Sequence, residues 1–256
     1  MRRRHWFELE DEAWFPGRIR DFMTDYLGFV VRRFGLFDPA VPILVDLLRE
    51  TGRTEVLDLA SGAGGPWPAL VSKVAAEVPE LRVTLSDLYP NVEALQGIAD
   101  TDERIDVARN RIDAVAVPES IDALRTQFLS LHHFKPRDAR SIFADAVECG
   151  VPIAVFEAQK RDVRHLVQFA LSPIAVLLMT PMVRPVRLTR FLFTYVLPIV
   201  PLCVFWDGIV SVLRTYTLEE MLSMARAADP KGAFEWEVGE TDGSGPTMIW
   251  LTGRPK

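Results

Sequence analysis

Val56-Leu57-Asp58-Leu59-Ala60 runs directly into Ser61-Gly62-Ala63-Gly64-Gly65, and no other stretch of the chain restricts the fold as strongly. A short apolar run bounded by turn formers reads as a buried strand, and strands buried on both faces belong to parallel sheets covered by helices. The glycines that follow allow backbone conformations and close approaches that a Cβ forbids. The pattern then alternates. A helix is predicted over residues 67–78, with Pro66 and Pro68 tolerated in its first turn, and a strand over 82–86. Pro90-Asn91 opens another helix, and Arg111-Ile112-Asp113-Ala114 closes a third strand–helix step. A strand over 127–131, a helix over 136–147 and a strand over 152–156 complete the series. Such alternation predicts an α/β fold with a mostly parallel sheet and helices on both faces.

Both ends of the chain depart from this pattern. Residues 1–50 read as amphipathic helix, with Phe22, Tyr26, Phe29, Val30 and Phe34 near helical spacing. Near the other end, a helix over 217–228 begins with Thr217 and Glu220 in capping-box spacing. Residues 234–238 and 248–252 then alternate as strands around the turn Asp242-Gly243-Ser244-Gly245. A late hairpin on a parallel sheet is predicted.

Two segments bear on the ligand. Asp87 follows Gly65 by 22 residues, the spacing of one βα unit, so a strand-end carboxylate can meet both ribose hydroxyls of a nucleoside. A pyrophosphate fingerprint needs a third glycine where Trp67 stands, and the Gly-Lys-Ser/Thr of a phosphate loop is absent. Asp58, just before the glycines, would repel a diphosphate but suits a ligand carrying an ammonium and a sulfonium. Dinucleotides are therefore disfavoured. The net charge of −6 and pI near 5.3 argue against a protein that grips nucleic acid by its phosphates. Cys149 and Cys203 have no metal-ligand spacing, so no metal is expected and a reduced, cytoplasmic setting is the simplest reading. The basic start of the chain turns acidic before any apolar run, so no secretory signal is expected.

On these motifs, over residues 55–157, the sequence resembles the class I S-adenosylmethionine-dependent methyltransferases. The resemblance implies a Rossmann-like seven-stranded sheet whose last strand is antiparallel, and S-adenosylmethionine as cofactor. It implies that Asp58, Ala60, Ser61, Gly62, Gly64 and Gly65 hold the methionine portion, with Ala60 standing where the family usually has its first glycine. Alanine is accepted there if the turn needs no positive φ. By the same resemblance Asp87 binds the ribose, Leu88 packs on the adenine, and Asp113-Ala114 meets the adenine amino group. Leu131-His132-His133-Phe134 matches the loop beside the transferable methyl, and Cys149-Gly150 matches the turn before the fifth strand.

Histidine can remove a proton from an acceptor as the methyl arrives, which makes His132 and His133 candidate general bases. The alternative is that one packs or caps a helix while the other is solvated. Glu157, at the end of the fifth strand, is a further catalytic candidate for orienting an acceptor. The unusual segment is 166–213: residues 166–183 and 191–206 carry no charge, and Arg184, Arg187 and Arg190 recur between them as if along one helical face. The first run is borderline for a membrane span, and Pro173, Pro181, Pro198 and Pro201 interrupt both runs. An apolar substrate lid ranks first, a lid lying in the membrane interface with its arginines on headgroups second, and plain core third.

The expectation is one methyltransferase-like domain over residues 1–256, with a helical cover at 1–50 and the insertion at 166–213. It transfers a methyl to a small, largely apolar or lipid-like acceptor, without a nucleic-acid partner. Peripheral membrane contact and pairing of two subunits through the insertion are further expectations. The competing reading is a non-catalytic, membrane-associated binding protein that retains the fold.

Overall fold

The computed structural model describes residues 1–62, 64–241 and 246–256, so Ala63 and the turn Asp242-Gly243-Ser244-Gly245 lie outside the described residues. In chain order the elements begin α1 (Gly17–Phe34), α2 (Ala40–Thr51), β1 (Glu55–Asp58), α3 (Trp67–Ala75), β2 (Arg82–Leu85) and α4 (Val92–Ala99). They continue with β3 (Ile105–Val107), β4 (Leu124–Phe128), α5 (Pro136–Cys149), β5 (Ile153–Glu157), α6 (Val163–Ala170) and α7 (Ser172–Met179). The last are α8 (Leu188–Phe191), α9 (Ile199–Arg214), α10 (Leu218–Ala228), β6 (Phe234–Glu240) and β7 (Ile249–Pro255). The chain divides into two compact units, one made of Met1–Phe34 with Gln159–Tyr216 and the other of Gly35–Ala158 with Thr217–Lys256.

The second unit holds a seven-stranded sheet in the order β3-β2-β1-β4-β5-β7-β6. Pairing is parallel from β3 through β5, and β7 runs antiparallel to both β5 and β6. Every residue of β4 and β5 is buried, as expected of strands covered on both faces. Phe128 anchors this interior, stacked on Phe156 at 4.9 Å and meeting Phe37 and Trp67 edge-on. The chain leaves β1 in one direction for β2 and β3, and returns on its other side for β4 and β5. The gap between β1 and β4 is thus the topological switch point, outside whose carboxyl ends open α/β sheets bind ligands.

Local signals in the sequence set several boundaries. Asn91 caps α4 by accepting from the Ala94 N–H, and Gly150 ends α5 in the left-handed region. Thr217 and Glu220 form the expected reciprocal box at the start of α10. Two expectations shift. The strand predicted over 127–131 runs instead from Leu124 to Phe128, and Leu131–His133 is a 3₁₀ turn. The cause is Arg125, which looks like a loop residue but is buried in the strand and paired with Asp145 of α5. The N-terminal helix is also shorter than expected: residues 1–16 hold only a 3₁₀ turn at Leu9–Asp11, and α2 belongs to the sheet unit.

In the first unit, α1 packs Phe15, Ile19, Phe22, Met23 and Tyr26 from its own helix and approach against Val176, Val183, Val200, Cys203 and Val204. Prolines divide the apolar stretch into short helices. Pro173 sits in the first turn of α7, Pro181 in the 3₁₀ turn Thr180–Met182, and Pro198 caps α9. Among the described residues no single helix is long and apolar enough to cross a membrane. The expected helical face of Arg184, Arg187 and Arg190 does not form, because residues 183–187 are not helical and Pro185 disfavours helix at Arg184. Arg190 turns inward instead, pairing with Asp25 and donating to the Val183 and Pro185 carbonyls. Asp207 of α9 accepts the N–H groups of Leu9 (2.7 Å) and Glu10 (3.2 Å), fixing the 3₁₀ turn. Burial pushes its carboxyl up to about 7, helped by the charges of Glu10 and Glu8.

Candidate functional site

The site is built where β1, β2 and β4 end. Asp58 closes β1, paired in register with Leu85 of β2 and Thr126 of β4. It is 1% exposed, and its two carboxylate oxygens accept the Thr126 and Ser61 hydroxyls, each at 2.7 Å. The Ser61 and Ser86 hydroxyls also reach the Asp58 carbonyl, while the Ser61 N–H donates to the Ser86 carbonyl. Asp58 therefore clamps the bend from beneath. Burial pushes its carboxyl up to about 6 against the pull of the Ser61 and Thr126 hydroxyls, and the charge of Asp87 adds to the rise.

A carboxyl with a raised pKa holds a proton in the folded chain after the unfolded chain has released it. Stability is then greatest below about pH 4 for that group and falls as pH rises, each tenfold weakening of the acid costing about 1.4 kcal/mol once it ionises. Asp58 and Asp207 together predict a decline in unfolding free energy between about pH 4 and pH 7. Urea melts across that range check it: the Asp207→Asn chain should show a flatter profile than the native one, and an unchanged slope would contradict the assignment.

The bend itself is left-handed. Gly62, Gly64 and Gly65 have φ of 54°, 89° and 54°, which explains the glycines. Around Gly64 the space is closed by the protein itself, since a Cβ there would come within 2.3 Å of Ile98 Cδ1 in α4. Ala60 also has positive φ, 52°, so the sequence expectation of a turn without that requirement is corrected. An L-residue in this region costs about 1–2 kcal/mol, partly offset in glycine by its larger entropy loss. Ala60→Gly is expected to raise the unfolding free energy by roughly 0.5–1 kcal/mol in a denaturant titration; a drop would show that the methyl packs usefully.

Asp87, two residues beyond β2, faces the bend. Its Oδ2 accepts the Gly62 N–H at 2.9 Å, and its Oδ1 accepts the Tyr89 N–H at 2.8 Å. The Asp87 carbonyl accepts the Ile112 N–H at 3.1 Å, which holds Asp113 and Ala114 beside the same strand end. Asp113 forms an isolated bridge with Ala116, its carboxylate accepting the Val115 N–H, and Ala114 is buried. Leu88 is partly exposed.

A second group lies past β4 and β5. Leu131 is buried, and His132 is buried with its Nδ1 at 2.8 and 3.0 Å from the Glu157 carboxylate oxygens. The His132 backbone N–H donates to Glu157 Oε1 at 3.1 Å as well. A carboxylate facing Nδ1 favours the imidazole tautomer that carries its proton on that nitrogen. The His133 ring lies 4.3 Å from that of His132. His132 and Glu157, separate candidates in the sequence, are thus one pair.

Thr126 and Ser86 complete the clamp, and the sequence does not announce either of them. Thr126 falls outside the strand predicted over 127–131, and only the true span of β4 brings it opposite Asp58. Among the described residues no Lys or Arg pairs with Asp58 or Asp87, so the donor set suits a cationic, hydroxyl-bearing ligand rather than phosphates.

No protein-family model matches the chain, and neither does any curated protein. Solved structures do. An O-methyltransferase family protein from Burkholderia thailandensis is 18% identical with a TM-score of 0.51, over 93% of this chain and 62% of that one. The plantazolicin methyltransferase BpumL, in complex with a triazolic desmethylPZN analog and SAH, is 11% identical with a TM-score of 0.55, over 93% and 99%. Magnesium protoporphyrin IX methyltransferase from Synechocystis PCC 6803, with bound SAH, is 14% identical with a TM-score of 0.51, over 92% and 94%. The chain spans 56% of the S-adenosylmethionine-dependent methyltransferase SibL and 56% of human N-acetylserotonin methyltransferase. The sheet order, the antiparallel β7 and these likenesses define the class I methyltransferase fold.

Proposed function

We propose that the chain is an S-adenosylmethionine-dependent methyltransferase acting on a small, largely apolar or lipid-like acceptor. The observation that carries this reading is the Asp87 carboxylate turned onto the Gly62 N–H at the carboxyl edge of β1 and β2. Acid and glycine bend close on one spot, where a ribose and the methionine portion of one adenosyl ligand fit together. When bound, the cofactor supplies an electrophilic methyl on its sulfonium. Asp87 would accept the ribose hydroxyls, the Asp113-Ala114 segment would border the adenine, and Leu88 would pack on it. Gly62 and Gly65, which have open space beside them, would present backbone to the methionine portion, while Gly64 packs on Ile98 and Ser61, Ala60 and Asp58 hold the bend in shape. Asp58 and Asp87 also contribute negative potential that favours a cation.

The His132–Glu157 pair favours an acceptor that gives up a proton, such as a hydroxyl. Glu157 holds the imidazole in the tautomer whose Nε2 takes that proton, and in-line placement of the acceptor oxygen supplies much of the remaining rate. His133 stands beside this pair. The apolar acceptor agrees with the composition of residues 166–206, and the name of the Burkholderia relative supports oxygen as the methylated atom. The test is incubation of the purified chain with methyl-labelled S-adenosylmethionine and a panel of hydroxylated lipids and phenols. Label entering an extractable apolar product supports the proposal. A chain that binds the cofactor but labels nothing across hydroxyl, amine and carbon acceptors favours the non-catalytic reading.

A further inference from the structure

The first unit carries an apolar surface that its own core leaves uncovered. Ile174, Leu178, Met182, Leu188, Val196 and Leu202 are each more than half exposed, and Leu188 reaches 85%. They come from α7, the turn after it, the start of α8, the π-helical turn Leu192–Val196 and the start of α9. These pieces are tied together. The Tyr195 hydroxyl donates to the Leu177 carbonyl, joining the π-helical turn to α7, and α9 packs on α7. Large apolar side chains exposed on adjoining elements in this number mark a surface with an interaction to make.

Charge selects the partner. From residue 163 to residue 206 the chain has no Asp or Glu, yet it carries Arg164, Arg184, Arg187 and Arg190. Arg190 is buried against Asp25, Arg187 is exposed but lies 3.8 Å from that same carboxylate, and Arg164 and Arg184 are exposed. An isologous pairing of two copies would set this basic rim against its own image. An anionic lipid surface meets both demands, accepting apolar side chains below its headgroups and arginines among them. The helices also have the shape for lying in that layer. The two segment pairs apolar enough for a membrane, Val163–Ala170 with Ser172–Met182 and Leu188–Val196 with Ile199–Arg214, are bent by 43° and 75°. Bent, short helices cannot cross the roughly 30 Å hydrocarbon core as single spans, but they can sink side chains into its boundary.

We propose that this face docks the protein peripherally on an anionic membrane, with Leu178, Leu188 and Val196 inserted and Arg184 and Arg187 on the headgroups. Docking of this kind does not depend on the cofactor reading. Its test is co-sedimentation of the full chain with phosphatidylcholine vesicles, with and without about 30% phosphatidylserine, beside light scattering of the free protein. The chain should sediment with the anionic vesicles and be monomeric without them. Leu188→Asp with Val196→Asp, both at exposed positions, should weaken sedimentation by more than tenfold while the thermal midpoint stays put. Arg184→Glu should erase most of the preference for phosphatidylserine. A wild-type chain left in the supernatant at every composition overturns the proposal. So does a dimer that Leu188→Asp dissociates while vesicles bind neither form, which would assign the face to a second copy. Titration of the same variants with S-adenosylhomocysteine separates the two readings, because the docking variants should bind it as the native chain does.

Discussion

Asp87→Ala is expected to abolish S-adenosylhomocysteine binding in a calorimetric titration while the chain stays folded. The native carboxylate faces the bend through the Gly62 N–H and lies where both ribose hydroxyls can donate to it. Each hydrogen bond to an ionised group contributes about 1.5–3 kcal/mol, so losing two costs roughly 3–6 kcal/mol. That corresponds to a loss of about 10²–10⁴ in affinity. The fold should tolerate the change. Asp87 lies outside β2, and the Gly62 and Tyr89 N–H groups it releases are in the exposed part of the loop, where water replaces the carboxylate. Asp87→Asn, which keeps one acceptor oxygen, should fall between the two. Unchanged affinity in the alanine variant would remove the ribose assignment.

The second large effect is at the buried pair. His132→Ala is expected to lower kcat for the labelled acceptor by about 10²–10⁴ with little change in cofactor affinity, the usual range for loss of a positioned base. Glu157→Gln should approach that loss without touching the imidazole. Its amide can still accept the His132 backbone N–H, but its NH₂ turned to Nδ1 would favour the tautomer with the proton on Nε2. A glutamine variant that turns over at the native rate would assign the pair to packing alone. If KM rises while kcat holds, the pair binds the acceptor and does not take its proton.

The parts of this molecule governed by neighbours in sequence are legible in the chain alone. The box of Thr217 and Glu220, the Asn91 cap and the glycine bend each depend on residues a few positions apart and form where expected, and the two last strands pair antiparallel. The spacing from the bend to Asp87 is nearly as local, because a single βα unit spans it. What the sequence hides depends on distant partners. Arg125 looks unfit for a buried strand until Asp145 neutralises it, and without that pair β4 is misplaced and Thr126 concealed. The three arginines after residue 183 suggest one helical stripe until Arg190 is seen to turn inward onto Asp25. Nothing in the identity of Ala60 announces its left-handed backbone, which the surrounding bend imposes. The union of His132 with Glu157 likewise needs β4 and β5 side by side.

The most direct measurement is titration of the ¹⁵N-labelled chain with S-adenosylhomocysteine, followed at its backbone amides. The account predicts saturable shifts led by Gly62, Gly64 and Tyr89, with Ala114 and Val115 following at the same concentration. Amides of the bend that stay still as ligand is added, or shifts confined to residues away from Asp87, would contradict it.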